Sequence, residues 1–171
     1  MFRPHIALTV GDPAGIGPEI SRAALDDARV VERSRLSVIG PAELRPSHVP
    51  SGLARSNVGW VDSGVDGRWE VGRAQRASGA AALLALRAGA DLAARGEVDA
   101  LVTGPVSKQA LHLAGEHVEG QTELLARWAG VERYEMVALA GRLRVMLATR
   151  HIPLALAIAS ALLLSVILAI D

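Results

Sequence analysis

Twice in 171 residues the chain passes from a short apolar run, through a glycine–proline turn, directly into a helical pattern. The first instance is "LTVGDPAGIGPEI", Leu8 to Ile20, and the second is "ALVTGPVSKQAL", Ala100 to Leu111. A short apolar run, a breaker and then an amphipathic segment is the pattern of a strand feeding a helix. Repeating that unit leaves few architectures open. The expected one is an α/β fold with a mostly parallel sheet and helices on both faces.

The intervening segments extend the alternation. "HIALTV" reads as a buried strand, and "PEISRAALDDAR" as a helix with Pro18 in its first turn. "RLSVIG" is a second strand, and "LARSNVGWVDSG" a strand and turn. "ASGAAALLALRAGADLAARG" is the clearest helix and stops at Gly96. "VDALVTG" is a strand, "PVSKQALHLAG" a helix, and "QTELLARWAG" a short helix ending at Gly130. "YEMVALA" and "LRVMLATR" are strands with a tight turn at "GR" between them. No internal repeat or low-complexity linker interrupts the series.

Hydrophobic residues make up 50% of the chain and aromatics only 3%, so alanine and leucine must fill the interior. Lys plus Arg and Asp plus Glu each total 18, which argues against a broad nucleic-acid-binding surface. With no cysteine, disulfides, thiolate metal sites and a cysteine nucleophile are excluded. No long apolar run precedes the first glycine turn, so the start does not read as a signal peptide, and a cytoplasmic location is expected.

The last stretch has a different composition. "IPLALAIASALLLSVILAI", residues 152–170, carries no charge, and its length approaches the roughly 20 residues that span a bilayer. Its alanines, Pro153 and two serines favour a strand end, a proline turn and a buried helix beginning near Ser160. Residues 1–151 are therefore read as the α/β portion and 152–171 as an apolar carboxyl-terminal helix.

The opening glycine turn is neither of the two common phosphate loops. A P-loop needs a lysine after its second glycine, and none follows here. The dinucleotide fingerprint needs G-x-G-x-x-G, whereas the glycines are Gly11, Gly15 and Gly17. Taken alone, the segment reads as a tight βα turn. Gly15 and Gly17 would allow close backbone approach or positive φ, Pro13 and Pro18 would stiffen the loop, and Asp12 and Glu19 would place carboxylates near a helix start.

Three further positions could carry chemistry. Thr103 ends a strand at the edge where α/β folds place ligands, and Lys108 in the following helical turn could meet an anion or simply be solvated. In "EGQTELL", Gln121 could donate to a substrate oxygen, and Thr122 could cap the helix. His151 follows a strand, where an imidazole suits metal binding or proton transfer, although taken alone a surface or satisfied histidine is the commoner case. The other histidines show no paired ligand spacing.

In order along the chain, "TVGDPAGIGPEI", "GRAQRASGAAALLAL", "GEVDALVTGPVSKQAL", "LAGEHVEGQTELLA" and "VMLATRHIPL" resemble the 4-hydroxythreonine-4-phosphate dehydrogenase family of pyridoxal phosphate biosynthesis. The likeness spans about residues 6–156. It implies a fold like the isocitrate and isopropylmalate dehydrogenases: an α/β/α sandwich with a cleft between subdomains, in a homodimer. It also implies oxidation of 4-hydroxythreonine 4-phosphate by NAD or NADP, giving a β-keto acid that loses carbon dioxide. A divalent metal (Zn, Mg or Co) holds the substrate in that chemistry. A sister group acting on 4-phosphothreonate or 4-phosphoerythronate shares the motifs.

By resemblance, His151 matches the family's first metal-binding histidine, and Gln121 and Thr122 match the substrate-contacting pair. Asp12, Gly15, Gly17, Thr103 and Lys108 match cleft-lining positions. The resemblance assigns no proton-transferring catalytic residue. Two departures stand out. Gln121 replaces the histidine of the family's "GHTE" motif, and an amide cannot carry a proton or a positive charge. The resemblance also covers only the family's amino-terminal half, leaving out its other metal-binding histidines and its cofactor loop. A truncated member with weak or absent turnover is the expectation, with a non-catalytic remnant as the alternative.

Overall fold

The computed structural model describes residues 2–65, 67–118, 120–147, 149 and 153–158. The chain separates into two compact units, Met1–Gly130 and Val131–Asp171.

The first unit is built on a four-stranded parallel sheet. Its strands are β1 (His5–Thr9), β2 (Arg35–Gly40), β3 (Val58–Asp62) and β4 (Ala100–Thr103), in the order β3-β2-β1-β4. Strand period two sorts their side chains onto two faces. Leu8 and Val10 join Leu36, Val38 and Trp60 in one core cluster, completed by Leu25 and Val49. Ala7 and Ile39 point the other way, into a cluster with Ala85, Leu92 and Val98.

Helices cover both faces, as the alternation of elements requires. The cluster around Leu8 is covered by α1 (Gly17–Asp26) and α2 (Ala28–Arg33), through Leu25 and Val30. The opposite face is covered by α3 (Arg76–Ala94), whose Ala81, Ala82, Ala85 and Leu86 are buried. Small side chains let this helix lie close to the sheet. Its length and hydropathy alone would suit a membrane span, but its inner face is packed in this core. Ala82 and Leu86 continue into a third cluster with Leu111 of α4 (Lys108–Leu113) and Leu124 of α5 (Gln121–Ala129).

Some boundaries differ from the sequence expectation. The first helix does not run unbroken to residue 29. Asp27 turns to extended backbone, and its carboxylate accepts from the Arg29 amide at 2.8 Å, capping α2. Aspartate prefers this cap to a helix interior, so the break is local chemistry. Likewise α4 begins at Lys108 rather than near Pro105, because Ser107 caps it by accepting from the Ala110 amide. The stops at Gly96 and Gly130 fall as expected, both glycines being left-handed.

The second unit contains an antiparallel hairpin of β5 (Val137–Ala140) and β6 (Leu143–Met146), turned at left-handed Gly141 and Arg142. The expected strands are present but shorter, β6 ending at Met146. Residues 154–158 are helical, with the Leu156 and Ala157 amides donating to the Pro153 carbonyl. Helix therefore starts before Ser160, because proline fits a helix start. Leu154, Leu156 and Ile158 are exposed. Residues 159–171, which hold the rest of the apolar run and the expected buried helix, lie outside the described residues.

Candidate functional site

The motif loops meet at the carboxyl-terminal ends of β1 and β4, where a parallel sheet presents ligand-binding loops. Thr9, at the last position of β1, lies in register with Thr103, at the last position of β4. The Gly104 amide donates to the Thr9 carbonyl at 2.9 Å and to the Thr9 hydroxyl at 3.1 Å. One turn later the Asp12 amide donates to the Pro105 carbonyl at 2.8 Å. The two strand–turn–helix units are thus joined backbone to backbone.

The glycines of the first loop are explained by this junction. Gly11 is left-handed (φ 80°), and a Cβ there would stand 2.2 Å from the Pro105 carbonyl oxygen. A Cβ on Gly17 would stand 2.0 Å from the Val10 carbonyl oxygen. The space beside both glycines is therefore filled by the protein's own backbone and leaves no cradle for a phosphate. The sequence expectation holds for Gly17, a close-approach residue, but not for Gly15. Gly15 is exposed, has no positive φ, and would place a Cβ in ordinary contact 3.5 Å from the Asp12 carbonyl. The left-handed glycine is Gly11, whose role only the junction reveals.

Asp12 is 4% exposed. One carboxylate oxygen accepts from the Ala14 amide at 2.8 Å, and the Asp12 carbonyl accepts from the Gly15 amide at 3.0 Å. The carboxylate first closes its own turn, a common use of aspartate in tight loops. Glu19 is exposed in the first turn of α1.

The third motif reaches the same junction. Gln121 is the first residue of α5, and its side-chain amide donates to the Gly104 carbonyl at 3.0 Å. The acceptor at Gly104 fixes which end of the amide carries nitrogen. Gln121 Oε1 is buried and finds no hydrogen-bond partner among the described residues. Such an orphan acceptor costs about 1–3 kcal/mol, so it marks a strained or incomplete position. Thr122 follows at the second helical position, half-buried; the cap residue is Gly120, with no side-chain cap bond, so Thr122 does not cap α5. Thr103 is half-buried, and Lys108 is exposed at the start of α4.

Direct hydrogen bonds therefore join Asp12, Gln121 and the turn after Thr103. His151 lies outside the described residues. Among the described residues, no three His, Cys, Asp or Glu side chains stand together to hold a metal ion. The ring centroids of His112 and His117 stand 5.2 Å apart, a pairing their spacing did not announce, but no third ligand joins them among the described residues. Sequence reasoning also missed Thr9, whose buried hydroxyl receives the second motif. A threonine next to the turn in an otherwise apolar strand was the available signal.

Comparison with known proteins gives these motifs a family. The family described as pyridoxal phosphate biosynthetic protein PdxA matches residues 19–168. The 4-hydroxythreonine-4-phosphate dehydrogenase of Synechococcus sp. (strain JA-3-3Ab) is 38% identical over 171 aligned positions, covering 90% of this chain and 49% of that protein. The crystal structure of a 4-hydroxythreonine-4-phosphate dehydrogenase from Burkholderia phymatum matches with TM-score 0.80 at 30% identity, over 93% of this chain and 53% of that one. A terephthalate 1,2-cis-dihydrodiol dehydrogenase from Burkholderia xenovorans LB400 matches with TM-score 0.65 at 27% identity, over 92% of this chain and 52% of that one. The chain spans about half the length of the curated relatives it matches.

Proposed function

Because the chain belongs to the family of the pyridoxal phosphate biosynthetic protein PdxA, we propose that it carries the amino-terminal part of a dehydrogenase site for 4-hydroxythreonine 4-phosphate. The observation that carries this reading is the convergence of three motif segments at one sheet edge, through the Asp12–Pro105 and Gln121–Gly104 hydrogen bonds. Gln121, Thr122, Thr103 and Lys108 supply amide, hydroxyl and ammonium groups around that junction. These groups suit the hydroxyls and phosphate of a small hydroxy acid. Lys108 is exposed and would meet the anionic end, while Asp12 holds the loop in shape.

In this reading the reaction takes place in the cytoplasm and in a homodimer. NAD or NADP would supply the hydride acceptor, and His151 would help to hold a divalent metal, which would supply Lewis-acid chemistry to the substrate hydroxyl. The described residues do not form a metal site by themselves, and their part is to bind and orient. Calorimetry of the isolated chain with 4-hydroxythreonine 4-phosphate tests the binding role. Saturable binding that weakens in Lys108→Ala is expected, together with weak or absent NAD(P)H formation. A folded sample that does not bind would overturn the substrate assignment. Robust turnover with added Zn²⁺ or Mg²⁺ would overturn the need for elements beyond these residues.

Gln121 favours a second reading. The buried amide cannot carry the charge of the histidine that the family motif has, so preference would move toward a related phosphorylated acid such as 4-phosphothreonate or 4-phosphoerythronate. The likeness to a terephthalate dihydrodiol dehydrogenase is consistent with substrate change on this scaffold. Parallel titrations with the three acids would rank them.

A further inference from the structure

An open cleft of ≈ 980 Å³ lies at the amino-terminal ends of β1, β2 and β3, the opposite end of the sheet from the motif loops. His5, Arg35 and Val58, the first residues of the three strands, line it together with the loop 50–56 and Glu97.

The loop wall is firmly seated. The Gly52 amide donates to the Trp60 carbonyl at 2.6 Å, and the Trp60 amide to the Pro50 carbonyl at 2.8 Å. The Ala54 amide donates to the Ser37 hydroxyl at 2.8 Å. The loop lies so close to β3 that a Cβ on Gly59 would stand 2.4 Å from the Gly52 carbonyl oxygen. Such a wall is shaped before any ligand arrives, which lowers the ordering cost of binding.

The charges in the cleft do not balance. Arg35 and Arg55 take no ion pair and no side-chain hydrogen bond among the described residues. The nearby carboxylates are committed elsewhere. Glu97 accepts from Arg95, and Asp99 accepts from the His5 amide at 2.6 Å. His5 is 5% exposed, with Nε2 2.8 Å from the Ser37 hydroxyl. Because Ser37 already accepts from Ala54, its proton is free to reach the imidazole, which suits a neutral ring. Two arginines without a partner among the described residues thus line the same cleft as apolar Pro50, Leu53 and Val58.

We infer that this cleft binds a small organic anion, with Arg35 and Arg55 on its acidic group and Pro50, Leu53 and Val58 against its apolar body. Guanidinium groups match both phosphate and carboxylate geometry, so the ligand class is a phosphate monoester or a carboxylic acid. This site is independent of the dehydrogenase reading.

Nuclear magnetic resonance of the full ¹⁵N-labelled chain tests it, with phenyl phosphate, benzoate and inorganic phosphate as probes. Saturable shifts of the amides of residues 51–56 and of the Arg35 and Arg55 side chains are expected with phenyl phosphate, benzoate or both. Saturation by phenyl phosphate alone makes the site one for phosphate monoesters, and saturation by benzoate alone makes it one for carboxylates. Inorganic phosphate should bind more weakly than phenyl phosphate, having no apolar body. Arg55→Gln and Arg35→Gln should each weaken binding about tenfold, and Lys108→Ala should leave it unchanged. Exposed Arg55 can be replaced without touching the core, so its variant keeps the test sound if Arg35→Gln fails to fold. Shifts at residues 51–56 that never saturate, shifts that map only to residues 103–108, or an affinity left unchanged by Arg55→Gln would each overturn the assignment.

Discussion

The side-chain amide of Gln121 donates to the carbonyl oxygen of Gly104 at 3.0 Å, tying the start of α5 to the turn that leaves β4. The bond depends on an N–H at this position. Gln121→Glu replaces the donor with an acceptor, and the carboxylate would face the Gly104 carbonyl. A loss of about 1–3 kcal/mol is expected, read as a lower midpoint in urea unfolding. An unchanged midpoint would mean that the bond contributes nothing to the junction.

The first two glycines of the opening loop should separate cleanly. Gly11→Ala meets both a left-handed backbone and the Pro105 carbonyl, so a loss above about 2 kcal/mol is expected. Gly15→Ala meets ordinary contact distances and should change stability by less than about 1 kcal/mol. Thermal unfolding of the pair decides the matter. Equal effects would show that the glycines do not differ in role.

His5 should make stability fall on the acid side of neutrality. Burial and then the charge of Arg35 lower its pKa from the usual 6.5, against a hydrogen bond to the Glu97 backbone and the charge of Asp99. The unfolded imidazole therefore binds its proton at a higher pH than the folded one. Stability is fully present above pH 6.5 and is lost as pH falls toward the lower folded value. His5→Gln should flatten this part of the pH–stability curve. A curve equally steep in the variant would assign the dependence to other groups.

Leu86 and Leu124 pack in the cluster that joins α3, α4 and α5, exposed by 2% and 0%. Either leucine replaced by alanine should cost about 2–5 kcal/mol, because a packed interior closes only partly around the lost methyl groups. Leu84 lies on the outer side of α3 and is 47% exposed. Leu84→Ala should cost far less, so the three Tm values together check which face of α3 is buried.

Much of the fold is legible in the sequence because its signals are local. Each of the four parallel strands is a short apolar run beside a breaker, and Gly96 and Gly130 end helices by adopting left-handed backbone. The break at Asp27 was also written locally, in an aspartate two residues before Arg29, but the helical pattern around it concealed it. The tail shows the opposite limit. Apolar composition does not fix where a helix starts, and Pro153 moved that start ahead of Ser160.

By itself, the sequence determined the α/β alternation, the parallel sheet and the motifs that carry the family resemblance, since strand period, helix period and turn chemistry act over a few residues. Only the tertiary structure decided what the glycine loop is for. Gly11 needs its missing side chain because Pro105 lies against it, and Gln121 is held because Gly104 presents a carbonyl there. Those partners are far apart along the chain and meet only when β1 and β4 pair. The cleft of Arg35 and Arg55 has the same origin: its charges come together when β1, β2 and β3 align, and no spacing in the sequence records that alignment.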